Sequence, residues 1–209
     1  MSTSAEDGRP RCWPASDPLY VAYHDEEWGR PVADEHGLYE RLCLEGFQSG
    51  LSWLTILRKR ENFRRAFAEF DPDAVARFGD RDVERLLGDA GIVRHRGKIE
   101  AAIANARGTI ALRDAGTPLQ ELVWSYAPDG YAPPRTMGDW QAQTAESKEL
   151  SKRLKAAGFR FVGPTTLWAA MQACGVVNDH LATCWVRDEV EKLRSSRTRA
   201  ASSAARSPS

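Results

Sequence analysis

Apolar residues recur three, four or seven positions apart along almost the whole chain of 209 residues. Two clear series are Leu51, Leu54, Leu57 and Ile99, Ile103, Ile110. This spacing brings side chains onto one face of an α-helix, because the helix completes a turn every 3.6 residues. The alternation of apolar and polar residues that is typical of a half-buried strand is absent. The sequence therefore predicts an all-α fold.

Proline and glycine indicate where helices begin and end. Asp71-Pro72 and Thr117-Pro118 have the pattern of an N-cap residue followed by a proline in the first turn. The expected helix ends are at Gly91, Gly116, Gly158 and Gly175. Residues 127–143 are rich in proline and glycine, and we expect a long loop there.

The composition indicates one domain that folds alone, as a monomer in the reducing cytoplasm. Hydrophobic residues make up 42% of the chain, enough for the core of a single domain over residues 12–193. Residues 1–11 and 194–209 are polar or of low complexity, and we expect both tails to be disordered. The four cysteines form no dense disulfide pattern, and no apolar stretch predicts a membrane span or secretory signal. Basic and acidic residues number 29 each, so net charge does not indicate a nucleic-acid partner.

A cysteine and a histidine lie close together near each end of the chain. His180 and Cys184 are four residues apart in a segment that looks helical, and Cys12 precedes His24 by twelve residues. Two thiolates and two imidazoles are a common ligand set of closed, structural zinc sites. If the pairs meet, one zinc ion would join the N- and C-terminal regions. The alternative is that Cys184 is a small buried apolar residue and His180 a hydrogen-bonded one.

A basic stretch with glycines predicts a phosphate-binding turn between two helices. In LLGDAGIVRHRGKIEAAI, residues 86–103, one helix would end at Gly91 and the next would begin near Lys98. Such a turn directs backbone N–H groups and the positive end of a helix at a phosphate, and Arg94 and its basic neighbours add charge. A second basic run, RKRENFRR at residues 58–65, is typical of a solvent-exposed helix face.

Aromatic residues are frequent, and one carboxylate lies among apolar residues. The chain has seven tryptophans and five tyrosines, although large rings mostly fill cores. Glu45 lies in the apolar segment CLEGF, where a charge is costly without a partner. A cationic or amino-bearing ligand would be such a partner. The alternatives are a helix cap or a salt bridge to an arginine.

Four blocks of the sequence, in this order, resemble the 3-methyladenine DNA glycosylase I family. They are CWPASDPLYVAYHDEEWG, CLEGFQSGLSWLTILRKRENF, DAGIVRHRGKI and GFRFVGPTTLWAAMQACGVVNDHLATC, and they extend from about Cys12 to about Cys184. The resemblance implies a helix-hairpin-helix enzyme of base excision repair with one structural zinc ion. Such an enzyme flips cationic 3-methyladenine out of alkylated double-stranded DNA and excises it by hydrolysis.

The resemblance also implies roles for individual residues. The zinc ligands would be Cys12, His24, His180 and Cys184. The base pocket would contain Glu45 as the catalytic residue, surrounded by the rings of Tyr20, Tyr23, Trp53 and Trp13. Leu51 would wedge into the DNA where the base has left, and further DNA contacts would come from Gly91, Val93, Arg94 and Lys98. In this chain Trp13 directly follows Cys12, whereas the family usually has one residue between them.

The expected chemistry needs little acid catalysis, because alkylation at N3 makes the adenine cationic and weakens its glycosidic bond. Flipping the nucleotide costs a few kcal/mol, which stacking and hydrogen bonding in the pocket offset. Each good cation–π contact favours the charged base by about 0.5 to 2 kcal/mol. We therefore expect Glu45 to act through binding and electrostatics rather than as a strong general base. Asp114, the nearest match to the catalytic aspartate of many other helix-hairpin-helix glycosylases, is expected to cap a helix or face solvent.

Two other functions are consistent with parts of the sequence. A DNA-binding module without catalysis would keep the hairpin and the zinc and use the aromatic residues as core, but it would give Glu45 no role. A zinc hydrolase needs an open coordination position for water, and four protein ligands leave none.

Overall fold

A computed structural model describes residues 7–128 and 130–204, with side chains up to residue 197. The described residues form ten α-helices and no β-strand, which confirms the all-α prediction. No helix among them has both the length and the apolar character needed to cross a bilayer. The helices are α1 Pro18–Glu26, α2 Glu35–Gln48, α3 Trp53–Ala66, α4 Pro72–Val75, α5 Asp80–Gly88, α6 Arg96–Asp114, α7 Leu119–Trp124, α8 Ala145–Ala156, α9 Pro164–Ala173 and α10 Arg187–Ala204.

The central helix is α2, which packs against α3, α6, α7 and α9. Asp34 caps its N-terminus by accepting a hydrogen bond from the Gly37 N–H at 2.7 Å. Tyr39 attaches it to α6 by donating from its hydroxyl to the Ala102 carbonyl at 2.9 Å. Most residues of the second half of α2 are buried. The helix therefore carries Glu45 into the interior.

Glycines end three helices as predicted. Residues with positive φ follow α6, α8 and α9 at Gly116, Gly158 and Gly175. Helix α5 instead ends at Gly88, three residues before the predicted end at Gly91. The reason is Asp89, which leaves the helical conformation and whose carboxylate accepts from the Gly91 N–H at 2.7 Å.

The C-terminal region differs from the disordered tail predicted for residues 194–209. Helix α10 continues to Ala204. Val190 in its first turns is fully buried, and the arginine and alanine residues that follow are good helix formers, so an anchored helix can extend. The prediction for residues 205–209 falls outside the described residues.

The N-terminal segment is also more ordered than predicted from residue 7 onward. Arg11 is buried, and its Nε donates to Asp25 Oδ1 at 2.9 Å. The backbone carbonyl of Pro10 accepts from the Trp185 N–H at 3.1 Å. Residues 1–6 of the predicted tail lie outside the described part of the chain.

A second, smaller apolar cluster joins the two ends of the domain. Its buried members are Cys12, Tyr23, Trp28, Leu57, Ala173, Leu181, Cys184, Val186 and Val190. The backbone approaches closely there, because a Cβ at Gly175 would lie 2.4 Å from the Gly29 carbonyl oxygen. The Val32 N–H also donates to the Cys174 carbonyl at 3.0 Å. These contacts hold the segment after α1 against the segment after α9.

The segment that contains His180 and Cys184 is a loop, so the helical interpretation of their spacing was wrong. Helix α9 ends before it and α10 begins after it. The Cys184 N–H donates to the Leu181 carbonyl at 2.8 Å and closes a tight turn. Gly175, with φ of +69°, ends α9 and prevents the helix from continuing into this segment. The turn, rather than a helix face, brings the two side chains together.

Candidate functional site

The two cysteine–histidine pairs meet and form what we term the Cys/His cluster. The ligand atoms of Cys12, His24, His180 and Cys184 all lie within 4.8 Å of one another, and all four residues are buried. Cys12 Sγ is 3.2 Å from His180 Nδ1, and Cys184 Sγ is 3.5 Å from His24 Nε2. Sulfur and nitrogen ligands about 2.3 and 2.0 Å from a tetrahedral zinc would be separated by roughly 3.5 Å. The cluster therefore fits a metal ion. Hydrogen bonds from Cys12 and the two histidines lower the pKa of the Cys184 thiol, which favours the thiolate.

Both histidines are oriented through the ring nitrogen that faces away from the cluster. His24 Nδ1 lies 2.7 Å from Asp25 Oδ1, and His180 Nε2 lies 3.0 Å from the Trp28 carbonyl oxygen. Partners of this kind fix the ring orientation and the tautomer of metal-binding histidines. Asp25 in turn accepts from the buried Arg11. The cluster thus has a supporting shell as well as four ligand side chains.

A cavity of about 330 Å³, which we term the base cavity, lies beside the cluster. The residues predicted for the base pocket all lie in its wall: Glu45, Trp13, Tyr20, Tyr23 and Trp53. The ring centre of Tyr23 is 6.4 Å from that of Tyr20 and 5.3 Å from that of Trp53. The Trp13 ring is 5.4 Å from Tyr20, although Trp13 directly follows Cys12. The structure therefore brings these five residues together.

Five further residues line the cavity and were not assigned to it from the sequence: Trp28, Gln48, Trp140, Ala169 and Gln172. Trp140 belongs to the long loop between α7 and α8, and its indole N–H donates to the Asp179 carbonyl at 2.9 Å. A large ring in a polar loop is a signal that could have identified it. Gln172 gives a similar signal, because it interrupts the apolar second half of α9.

Three polar groups of the base cavity lack partners among the described residues. Glu45 is 5% exposed, and its carboxylate makes no hydrogen bond or ion pair within the part of the chain that the structure describes. Burial raises the pKa of Glu45 to about 8, and the positive charge of Arg41 opposes this rise. The indole N–H groups of Trp13 and Trp53 are also buried and unpaired among the described residues. Such a cavity suits a flat ligand that both donates and accepts hydrogen bonds.

A larger groove of about 750 Å³ lies along Pro128 and residues 130–146. Its wall includes Tyr131, Arg135 and Trp168 but none of the predicted site residues. We assign the candidate site to the smaller cavity, because the buried carboxylate and the convergent rings lie there.

Four of the five residues predicted to contact DNA lie on two turns. Gly91, Val93 and Arg94 belong to the turn between α5 and α6, and Arg94 is exposed and has no ion pair in the described chain. Leu51 is 40% exposed in the turn between α2 and α3. Lys59 belongs to the basic run predicted to face solvent. Its Nζ donates to the Ala90 carbonyl at 2.9 Å and so attaches α3 to the turn between α5 and α6.

Lys98 lies inside the protein rather than among the surface cations. Its Nζ donates to the carbonyl oxygens of Phe47, at 2.9 Å, and Ser49, at 2.5 Å. Burial lowers the pKa of this ammonium group. The side chain therefore joins the start of α6 to the end of α2, next to the turn that carries Leu51.

An all-α domain with an aromatic, carboxylate-bearing cavity and an exposed basic turn is of the kind expected for a helical DNA glycosylase. The chain belongs to the methyladenine glycosylase family, whose sequence model matches residues 13–188. This membership confirms the resemblance found in the sequence.

Individual relatives cover most of the chain. DNA-3-methyladenine glycosylase 1 of Escherichia coli (strain K12) is 50% identical over 179 residues, which are 83% of this chain and 95% of the relative. A crystal structure of 3-methyladenine DNA glycosylase I matches with a TM-score of 0.81 and 48% identity, covering 84% of this chain and 98% of that chain. A variant of 3-methyladenine DNA glycosylase I in complex with 3-methyladenine matches with a TM-score of 0.79 and 35% identity, covering 83% and 94%.

Proposed function

We propose that the base cavity holds a flipped-out 3-methyladenine against Glu45 before the base is released. The protein is a DNA repair glycosylase that excises 3-methyladenine from alkylated DNA by hydrolysis. The observation that carries the proposed role of the cavity is its buried carboxylate, which lacks a protein partner among the described residues and lies among six aromatic residues. A relative has been crystallised with 3-methyladenine, which supports a cavity for this base.

Recognition would use the positive charge of the alkylated base. An ionised Glu45 accepts a hydrogen bond from the exocyclic amine and attracts the cation. The faces of Tyr20, Tyr23 and Trp53 favour a cationic ring over neutral adenine by about 0.5 to 2 kcal/mol per contact. The same contacts disfavour normal bases, which lack the charge, so discrimination has the same physical origin as binding.

Hydrolysis needs a small contribution from the protein once the base is held. Water attacks the sugar carbon, the carbon–nitrogen glycosidic bond breaks, and its electron pair neutralises the departing base. The proton released from the attacking water passes to solvent. Glu45 would act in this step by stabilising the positive charge that passes from the base to the sugar as the bond breaks, in a buried cavity where electrostatic interactions are stronger than in water.

The Cys/His cluster would bind one structural Zn²⁺ ion per chain. Its two sulfur and two nitrogen ligands would fill a tetrahedral coordination sphere: Cys12, His24, His180 and Cys184. A zinc ion with four protein ligands stabilises the fold and leaves no coordination position for a substrate or water. Here it would join the segment before α1 to the loop before α10.

The turn between α5 and α6 would act as a helix-hairpin-helix contact to the DNA backbone. Its backbone and the exposed Arg94 would bind phosphate, while Leu51 would wedge into the space left by the base. Lys98 would contribute by fixing the relative position of these two turns. Arg94→Ala should therefore reduce the slope of log binding constant against log salt concentration by the amount that corresponds to about one phosphate contact.

We also infer a monomeric protein in the cytoplasm, as its composition suggests.

The test of the proposed pocket is Glu45→Gln, which keeps the shape of the side chain and removes its charge. We expect release of 3-methyladenine from methylated DNA to fall by roughly 30-fold or more, because a hydrogen bond to a charged group contributes about 2 kcal/mol. Glu40→Gln is the matched control, since Glu40 is a buried glutamate of the same helix that pairs with Arg64. Full activity of the Glu45 variant would contradict the proposal.

A further inference from the structure

Arg41 is a largely buried cation behind the base cavity and does not line it. It lies on α2 one turn before Glu45, and its side chain is 11% exposed. Its Nη2 donates to Glu27 Oε2 at 2.8 Å, whereas its Nη1 is buried without a hydrogen-bond partner among the described residues. The guanidinium carbon is 5.7 Å from the ring centre of Tyr23, which lines the cavity.

The ion pair with Glu27 does not neutralise Arg41 completely. Glu27 also accepts from Arg60, whose Nη2 lies 2.9 Å from Oε1, so two arginines share one carboxylate. A buried guanidinium with an unpaired N–H is costly, and an apolar side chain would fill such a position at lower cost. The stability of the fold therefore does not explain an arginine here.

Arg41 is the charged group that opposes the burial of Glu45. The titratable groups that face Glu45 are Arg41 on α2, Tyr20 and Tyr23 on α1, and Cys174 after α9. Burial raises the pKa of both tyrosines above the ordinary value and that of Cys174 to about 12. These three groups are therefore neutral at pH 7. Of the four, only Arg41 carries a charge.

We propose that Arg41 is a positioning residue that acts through Glu45, supplying the resident positive charge that enlarges the ionised fraction of this buried carboxylate while no base is in the cavity. Because Glu27 holds the guanidinium beside Tyr23, Arg41 stabilises the carboxylate without occupying the space for the base. A cationic base that enters the cavity then adds a second positive charge and completes the ionisation of Glu45. The inference rests on the proposed function, since ionised Glu45 assists excision only if the base binds beside it.

The direct test is an NMR titration of the Glu45 carboxyl group in the free protein, with Glu45→Gln used to assign its signal. Arg41→Met keeps the size of the side chain and should raise the pKa of Glu45 by about one pH unit. Arg41→Lys restores the charge and should restore the wild-type value. Glu27→Gln leaves Arg41 uncompensated and should shift the value downward, a result that a merely structural role for Arg41 would not produce.

The second readout is kcat/KM for excision of 3-methyladenine from methylated DNA between pH 6 and pH 9, which reports ionisations of the free enzyme. Arg41→Met should lower it roughly tenfold at pH 7, with recovery as the pH rises, and Arg41→Lys should rescue it. An unshifted Glu45 titration in Arg41→Met would overturn the proposal. If that variant does not fold, an unshifted titration in Glu27→Gln would overturn it equally. A shifted titration together with full activity of Glu45→Gln would support the effect of Arg41 on Glu45 and contradict the proposed function.

Discussion

The Cys/His cluster and the base cavity are neighbours that pair their polar groups in opposite ways. Trp13 contacts both: its ring centre is 4.7 Å from that of His24, and its side chain also lines the base cavity. In the cluster, ring nitrogens and sulfurs find partners within the protein. In the cavity, the Glu45 carboxylate and the Trp53 indole have none among the described residues. Unpaired buried polar groups are costly. The paired groups of the Cys/His cluster therefore suit a structural role, and the unpaired groups of the base cavity suit the binding of a ligand.

The largest effect should come from breaking the cluster. Cys184→Ala removes one of the four proposed ligands, and loss of the metal should lower the free energy of unfolding by more than about 5 kcal/mol, enough to unfold many domains. Elemental analysis for zinc and thermal unfolding measure the effect. Cys43→Ala is the control, because this buried thiol lies outside the cluster and should retain the metal. A Cys184 variant with unchanged melting temperature would show that the cluster is not a structural metal site.

Removing the charged group of the base cavity should stabilise the protein at high pH, whereas breaking the Cys/His cluster should destabilise it. Burial raises the pKa of Glu45 from 4.5 to about 8, so the folded protein binds this proton more tightly than the unfolded chain. Its contribution to stability is complete below pH 4.5 and is lost as the pH rises through 8, by up to about 5 kcal/mol. The stability of Glu45→Gln should therefore improve relative to wild type over this range. Urea unfolding at pH 4.5 and pH 9 measures the difference, and a constant difference would mean that Glu45 is not buried as a costly charge.

A smaller loss should follow from disturbing the backbone contact beside the cluster. Gly175→Ala places a Cβ 2.4 Å from the Gly29 carbonyl at a residue with φ of +69°. Gly158→Ala is a matched control, since its φ is +89° but nothing lies within 4 Å of the added carbon. The control should lose about 1 kcal/mol through backbone strain alone, and Gly175→Ala at least about 2 kcal/mol. Equal losses in denaturant unfolding would mean that the close approach does not contribute.

The sequence predicted the cluster more directly than the cavity. Cysteine and histidine are few, and their chemistry restricts them, so four ligands could be named from residue type and family blocks before any contact was known. The same spacing suggested a helix for His180 and Cys184, because four residues apart is compatible with a helix face and with a tight turn. The structure decides between them, because Gly175 ends α9 and the Cys184 N–H closes a turn onto the Leu181 carbonyl.

The cavity wall depends on packing that local patterns do not contain. Trp140 comes from a long loop whose course is set by the hydrogen bond to the Asp179 carbonyl. Lys98 looked like a surface cation because it lies in a basic stretch, yet its long aliphatic chain reaches the Phe47 carbonyl inside. Arg41 shares an ion pair with Glu27, from a different element of the fold. Sequence spacing could predict none of these partners. Each contact joins two residues that lie on different segments of the fold, 14 or more positions apart in the chain.

The smallest effect should separate an unpaired indole from a paired one in the same cavity wall. Trp53→Phe removes an N–H that has no partner in the described chain, so stability should change little. Excision of 3-methyladenine should fall by about three- to tenfold if the ligand accepts that hydrogen bond, which corresponds to about 1 kcal/mol. Trp140→Phe is the matched variant, because its N–H already donates to Asp179, and it should lose about 1 kcal/mol of stability. Thermal unfolding and single-turnover excision of both variants measure these effects. If Trp53→Phe were the less stable variant and excised 3-methyladenine normally, the Trp53 indole would have a structural role. The contrast between the paired groups of the Cys/His cluster and the unpaired groups of the base cavity would then not apply to Trp53.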